Sequence, residues 1–186
     1  MPEEVGENEE GVTDAAPTVE TGTRYGAAVT RSRGQLVLHP RREELLETVA
    51  AMRDDGFVML LDVTAVDYLE APARDLPPTI DGERYELVVT LISHASRERV
   101  RLRVQVPAGD LTVPSLFDIY PGAEALERET YDMFGLIFEG HPDMSRILMP
   151  DDWTGHPLRK DYAVAQIPVQ FKGCLLYTSP SPRDRH

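Results

Sequence analysis

The sequence predicts an α+β fold: a small, mostly antiparallel sheet with two main helices, followed by an extended Pro/Gly-rich C-terminal segment. Three observations carry this. Between Arg41 and Asp55 apolar residues recur at helical spacing, whereas Val100, Leu102, Val104 and Val106 alternate with Arg99, Arg101, Arg103 and Gln105 at the two-residue period of a strand. A second amphipathic stretch, Ala123 to Phe134, stops at Gly135, and the prolines and glycines beyond it leave little room for regular structure. A chain of 186 residues is best read as one core with tails.

Residues 1–23 contain Glu3, Glu4, Glu7, Glu9, Glu10, Asp14 and Glu20, with no base and no aromatic side chain. They offer too little apolar surface to offset chain entropy and are expected to be a disordered acidic tail. The α+β domain should occupy residues 24–138. Leu36 to Leu38 fits a short strand, and Pro40 suits the first turn of the helix that follows. In that helix, Arg41 to Asp55, the stripe comprises Leu45, Leu46, Val49, Ala50 and Met52, and Gly56 is placed to adopt a left-handed cap. Phe57 to Val66 reads as a buried strand, and Pro72, Pro77, Pro78 and Gly82 punctuate a surface loop. Arg84 to Ser93 and Arg99 to Val106 form an expected antiparallel hairpin whose arginine face looks toward solvent or an acidic partner.

Pro114 to Tyr120 is expected to be a short helical segment, with Pro121-Gly122 opening the second helix and Leu136 to Phe138 forming a brief strand. Residues 139–173 read as an extended segment that needs a surface to lie on. From Cys174 the composition shifts abruptly, which marks 174–186 as a non-native tail to be left out of fold reasoning.

Composition narrows the function classes. With 32 acidic against 19 basic residues and a net charge of −13, the chain repels nucleic acid. One cysteine allows no intrachain disulfide and cannot by itself hold a four-cysteine iron-sulfur cluster. The apolar runs Phe57 to Leu61 and Leu87 to Ile92 are far too short to span a bilayer, and the first residues lack the features of a secretory signal, so a cytoplasmic location is expected.

Phosphate-loop, dinucleotide, His-Glu-x-x-His and Gly-x-Ser-x-Gly signatures are missing. The chemistry-bearing residues gather between Glu127 and Asp161. Glu127, Arg128, Glu129 and Asp132 share one helix at spacings that allow an ion-pair network, or an acid and a base if burial separates their pKa values. His141, Asp143, Asp151, Asp152 and His156 are metal-ligand types, but no compact ligand spacing joins them, and His141-Pro142 and His156-Pro157 fit hydrogen-bonded turns more simply. Arg159 and Lys160, beside Asp161, suit a partner carboxylate or an internal clamp. Trp153, the one tryptophan, suits a core anchor as well as an interface anchor.

The run Glu127-Arg-Glu-Thr-Tyr-Asp-Met-Phe-Gly135, with Phe138-Glu-Gly-His-Pro142, Arg146-Ile-Leu148 and Asp151-Asp-Trp-Thr-Gly-His-Pro-Leu-Arg-Lys-Asp-Tyr162, closely resembles the C subunits of bacterial proton-pumping NADH-quinone oxidoreductases, in the peripheral arm of respiratory complex I. Three positions depart from the pattern: Ser145 replaces a basic residue, Ala163 a proline, and Tyr120 a tryptophan. The resemblance implies a subunit with no catalytic, cofactor-binding or metal-binding residues of its own. In such complexes NADH, FMN, iron-sulfur clusters and quinone belong to other subunits, and electron transfer is coupled to proton translocation. It also implies a peripheral position on the cytoplasmic side of the plasma membrane, against the quinone-site and iron-sulfur subunits. On that reading Glu127, Arg128, Glu129, Asp132, Phe134, Gly135, His141, Pro142, Arg146, Asp151, Trp153, Gly155, Pro157, Leu158, Arg159, Lys160 and Asp161 form a subunit interface. Two other readings stand beside it: a related complex with another electron donor or a hydrogenase-like complex, and a stand-alone metal-dependent enzyme using His141, Asp143, Asp151 and His156.

Overall fold

Alternation of apolar residues builds one sheet that buries one face under two helices. The computed structural model describes residues 22–162. Its strands are β1 (Thr23–Arg24), β2 (Ala27–Ser32), β3 (Gln35–His39), β4 (Met59–Asp67), β5 (Tyr85–Ser93) and β6 (Glu98–Val106), in the spatial order β1-β2-β3-β6-β5-β4. All neighbours are antiparallel except β3 and β6, which run parallel with Leu36 beside Val100 and Leu38 beside Leu102. The sheet is therefore mixed, and the class is α+β.

The expected hairpin forms between β5 and β6, with Val89 opposite Leu102 and Leu87 opposite Val104. Their side chains, with Leu91, Val100 and Val106, are buried on the helix-covered face. Helix α1 (Leu45–Asp54) follows a single 3-10 turn at Arg42–Glu44. Its buried residues are Leu45, Thr48, Val49 and Met52, while Leu46 and Ala50 are exposed. The stripe is thus narrower than the apolar residues suggest, and Thr48 enters it because its hydroxyl donates to the Tyr25 carbonyl at 3.2 Å. Gly56, at φ +93°, ends the helix as expected and lets the Phe57 N–H reach back to Met52 O at 3.0 Å.

Helix α2 (Ala123–Phe134) crosses β4, and the Thr130 hydroxyl donates to Val63 O at 3.1 Å. Two short strands, β7 (Thr112–Pro114) and β8 (Ile137–Glu139), pair in parallel as a second sheet. The segment Pro114 to Tyr120 is not a helix: it is one turn, in which Leu116 O accepts from the N–H groups of Ile119 and Tyr120 at 3.0 and 2.8 Å. Pro114 completes β7 and Pro121 opens the approach to α2, so the few residues between them have room for one turn only.

The loop between β4 and β5 folds over one end of the sheet's second face. There Arg103 donates to Asp75 O at 3.1 Å, and buried Glu86 accepts from Arg103 at 2.7 and 3.0 Å and from Gln105 at 2.7 Å. Arg74 lies 3.9 Å above the Tyr68 ring and pairs with the same carboxylate. Of the acidic segment 1–23 only Gly22 and Thr23 are described, Thr23 being in β1. Residues 163–186, with Ala163, Cys174 and the rest of the expected C-terminal segment and tail, lie outside the described residues.

Candidate functional site

Helix α2 ends with carbonyls that have no partner within the helix. Residues 140–162 return across that end and supply the partners. His156 Nδ1 donates to Asp132 O at 3.0 Å, the Leu158 N–H donates to Met133 O at 3.0 Å, and Arg159 Nε donates to Phe134 O at 2.6 Å. Two of these donors are side chains of the run Gly155-His-Pro-Leu-Arg-Lys-Asp-Tyr162, and Arg159 adds a cation where the helix dipole is negative. Gly135 makes the close approach possible. It has φ +79°, and a Cβ there would lie 2.6 Å from His156 Nε2 and run into the Arg159 guanidinium.

Asp132 organises the same end from within. Its side chain is fully buried, pairs with Arg146, and through Oδ2 accepts the N–H groups of Ile147, Leu148 and Met149 at 3.2, 2.8 and 2.8 Å. Burial raises the pKa of this carboxyl, but the hydrogen bonds from Met149, Arg146, Leu148 and Ile147 outweigh it and hold the group below the usual carboxylate range. Arg146 also reaches Gly155 O at 3.0 Å, so one ion pair joins both halves of the returning segment to the helix.

A third clamp holds the segment to the sheet. Asp67, buried at the end of β4, accepts from Arg84 at 3.0 and 2.8 Å, from the Leu69 N–H at 3.0 Å and from the Lys160 N–H at 2.9 Å. Arg84 in turn meets Asp161 at 2.9 Å. Burial raises the Asp67 pKa, yet Arg84 and the two N–H groups bring it below its ordinary value. Sequence reasoning passed over Asp67 and Arg84. The available signal was an acid at a core-facing position, in phase with Val63 and Ala65.

The anticipated ion-pair network along α2 does not form. Glu127 is buried and turned away, accepting from the Ser115 hydroxyl at 2.6 Å and the Leu116 N–H at 2.7 Å. Burial pushes its carboxyl upward despite those bonds. Arg128 binds Ser145 O and Oγ at 3.1 and 2.8 Å and Arg146 O at 3.2 Å, so the departure at Ser145 is matched by a direct contact. Glu129 is exposed. Tyr120 is buried, its hydroxyl donating to Phe57 O and its ring lying 5.0 Å below the Arg53 guanidinium.

His141 Nε2 lies 3.0 Å from Glu124 O, and its Nδ1 accepts the Asp143 N–H at 3.0 Å, which fixes the turn through Pro142. Asp151 and Asp152 are exposed, and Pro157 is partly buried. Among the described residues, no three His, Cys, Asp or Glu side chains are gathered in a metal-binding arrangement. Trp153 is partly buried, with an enclosed indole N–H that has no partner among the described residues. The clamps therefore serve architecture: they set the path of residues 140–162 and leave Ile147, Leu148 and Leu158 exposed at 41%, 55% and 52%.

The returning segment and most of the domain that holds it lie within a match, residues 38–167, to the family described as the 30 kDa subunit of respiratory-chain NADH dehydrogenase. The chain belongs to this family. Relatives named as C subunits of NADH-quinone oxidoreductase include those of Acidothermus cellulolyticus, 45% identical over 82% of this chain and 75% of its own, and of a Nocardioides species, 43% identical over 92% and 65%. A third, from Salinispora tropica, is 45% identical over 80% of this chain and 60% of its own, so the chain spans about two thirds of the length of such relatives. Among solved structures, a trypsin-resistant fragment of Nqo5 is 38% identical with a TM-score of 0.53, covering 59% of this chain and 83% of that one. A chain of the membrane-bound sulfane sulfur reductase, an archaeal respiratory membrane complex, is 28% identical with a TM-score of 0.61, covering 74% and 78%. In this chain, no helix among the described residues is long and apolar enough to cross a membrane.

Proposed function

We propose that the chain is a cofactor-free structural subunit of a membrane-associated NADH-quinone oxidoreductase. It packs against the quinone-site and iron-sulfur subunits of the peripheral arm, on the cytoplasmic side of the membrane, and through them meets the membrane arm. Those subunits carry the NADH, FMN, iron-sulfur and quinone chemistry that drives proton translocation, and this chain shapes their surroundings. One observation carries the reading: charged motif residues turn inward to fix residues 140–162, while the same segment turns Ile147, Leu148 and Leu158 outward. Exposed aliphatic side chains on a fixed support are what a permanent partner covers. Asp151, Lys160 and the outer edge of Trp153 belong to the same contact surface.

The test is capture of a tagged chain from its native host in mild detergent, with mass spectrometry and an NADH-quinone activity assay. Iron-sulfur, flavin and membrane subunits should be recovered with activity, and Leu148→Asp with Leu158→Asp should lose them while the chain stays folded. Recovery of a monomer alone would sink the proposal. The likeness to a chain of the sulfane sulfur reductase favours one second reading, a related complex fed by another electron donor. Recovery of the core subunits without an NADH-oxidising module would select it.

A further inference from the structure

The turn between β2 and β3 and the turn between β5 and β6 lie side by side, because β3 and β6 run parallel with Leu36 beside Val100. Arg33 and Arg97 sit in these two turns, both at positive φ, and Arg99 and Arg101 follow on β6, on the face opposite buried Val100 and Leu102. All four are exposed, and among the described residues none of their side chains has an ion-pair or hydrogen-bond partner. The nearby acids do not neutralise the group: Glu98 is turned to Arg24 at 3.6 Å, and Asp62 lies two strands from Arg101, across Thr90. In a chain with 32 acids and 19 bases, four adjacent unpaired arginines are an anion-binding surface.

The described chain begins on the same side of the sheet as this surface. Gly22 accepts the Val29 N–H at 3.1 Å, and β1 runs antiparallel to β2, so the chain enters from the side of the β2–β3 turn. Val29 is four positions from Arg33, roughly 13 Å at strand spacing. Residues 1–21, immediately upstream, carry seven acids and no base. We propose that the Arg33, Arg97, Arg99 and Arg101 surface is the docking site of the chain's own acidic N-terminal segment, residues 1–21. A covalent link a few residues from the site gives those carboxylates an effective concentration that a separate acidic partner must exceed. The segment thereby screens the basic end of the sheet, and any stronger anionic partner binds there by displacing it. This proposal does not depend on the assembly reading.

The test uses the full chain, isotope-labelled for NMR, with a nitroxide at N8C in a C174S background. Amide intensity should be lost at Arg33, Arg97, Arg99 and Arg101 and kept at the opposite end of the sheet, around Asp67, Tyr85 and Val106. It should return in about 1 M salt, where the Debye length falls to about 3 Å, and in the variant R99E/R101E. Equal loss at both ends, or a loss that neither salt nor charge reversal relieves, would overturn the proposal. So would a loss that appears only between molecules when nitroxide-labelled and isotope-labelled chains are mixed, since the occupant is then a second copy.

Discussion

The two ends of the main sheet treat their arginines in opposite ways. At the end where β4 stops and β5 starts, Arg84, Arg146 and Arg159 are each held by a carboxylate or a helix carbonyl, and residues 140–162 are tied down through them. At the other end, Arg33, Arg97, Arg99 and Arg101 project from turns and a strand face with no partner among the described residues. The motif-rich end pairs its arginines internally, and the end with open charge carries none of the family's motif residues. A dense run of polar residues can thus record how a chain holds its own shape, while exposed Arg99 and Arg101 show in the sequence only as the polar half of the β6 alternation.

The comparison is most directly broken at Asp132. Replacing it with Ala strands a mostly buried guanidinium and three N–H groups, and the expected loss is about 3–5 kcal/mol of unfolding free energy in urea titration. A loss below about 1 kcal/mol would mean that water satisfies this end as well as the carboxylate does. Acid should act on the same contacts. The Asp132 and Asp67 pKa values are depressed in the folded state, so their contribution is present above the unfolded carboxylate value and is lost as pH falls through the lower folded one. Glu127 has the opposite sign: its raised pKa favours the folded state in acid, and that contribution fades as pH rises through the folded value.

His39 sharpens the comparison from the sheet's second face. It is buried beside Arg103, its Nε2 is 2.9 Å from Thr30 Oγ1, and burial, then the Arg103 charge, pull its pKa down to about 4. Unfolded His binds its proton near pH 6.5, so the unfolded state holds more protons between there and about pH 4, and stability falls across that window on acidification. The expected size is about 2 kcal/mol, read as the difference in unfolding free energy between pH 7 and pH 4.5 and largely removed in H39N. An unchanged pH profile in H39N would assign the loss to the carboxylate clamps instead.

Gly135→Ala comes next. The positive φ and the collision with His156 and Arg159 should cost about 1–3 kcal/mol, seen in thermal unfolding. Amide exchange should also rise at Leu158 and Arg159, because the segment must lift to make room. Faster exchange confined to α2 would show that the glycine serves the helix alone.

The parts legible in the sequence are those governed by neighbours along the chain. The stretch Ala123 to Phe134 and its Gly135 cap match α2 residue for residue, and the central hairpin follows from strict alternation. The parallel pairing of β3 with β6 depends on contacts more than 60 residues apart, and β2, with Ala27, Ala28 and a charged Arg31, gives no clean alternation. The site failed in the same way. Helical spacing offered Arg128 to Asp132, but Asp132 is turned to the returning segment and takes Arg146, fourteen positions on. The motif run shows only one side of these clamps, because Asp67 and Arg84, which hold Lys160 and Asp161, lie outside it.

The smallest expected effect is the most demanding of the contrast. Arg99→Ala with Arg101→Ala removes two exposed cations that contact no carboxylate among the described residues, so unfolding free energy at ~0.15 M salt should move by less than about 0.5 kcal/mol. Exposed ion pairs, even where formed, contribute only about 0–1 kcal/mol, so docking of residues 1–21 on this surface is compatible with that bound. The salt dependence is the finer reading, because removing cations from a chain of net charge −13 adds self-repulsion. The double variant should therefore gain more stability than the parent between low and high salt. A loss of several kcal/mol at all salt concentrations would show that these arginines are structural, and the contrast between the two ends of the sheet would fail.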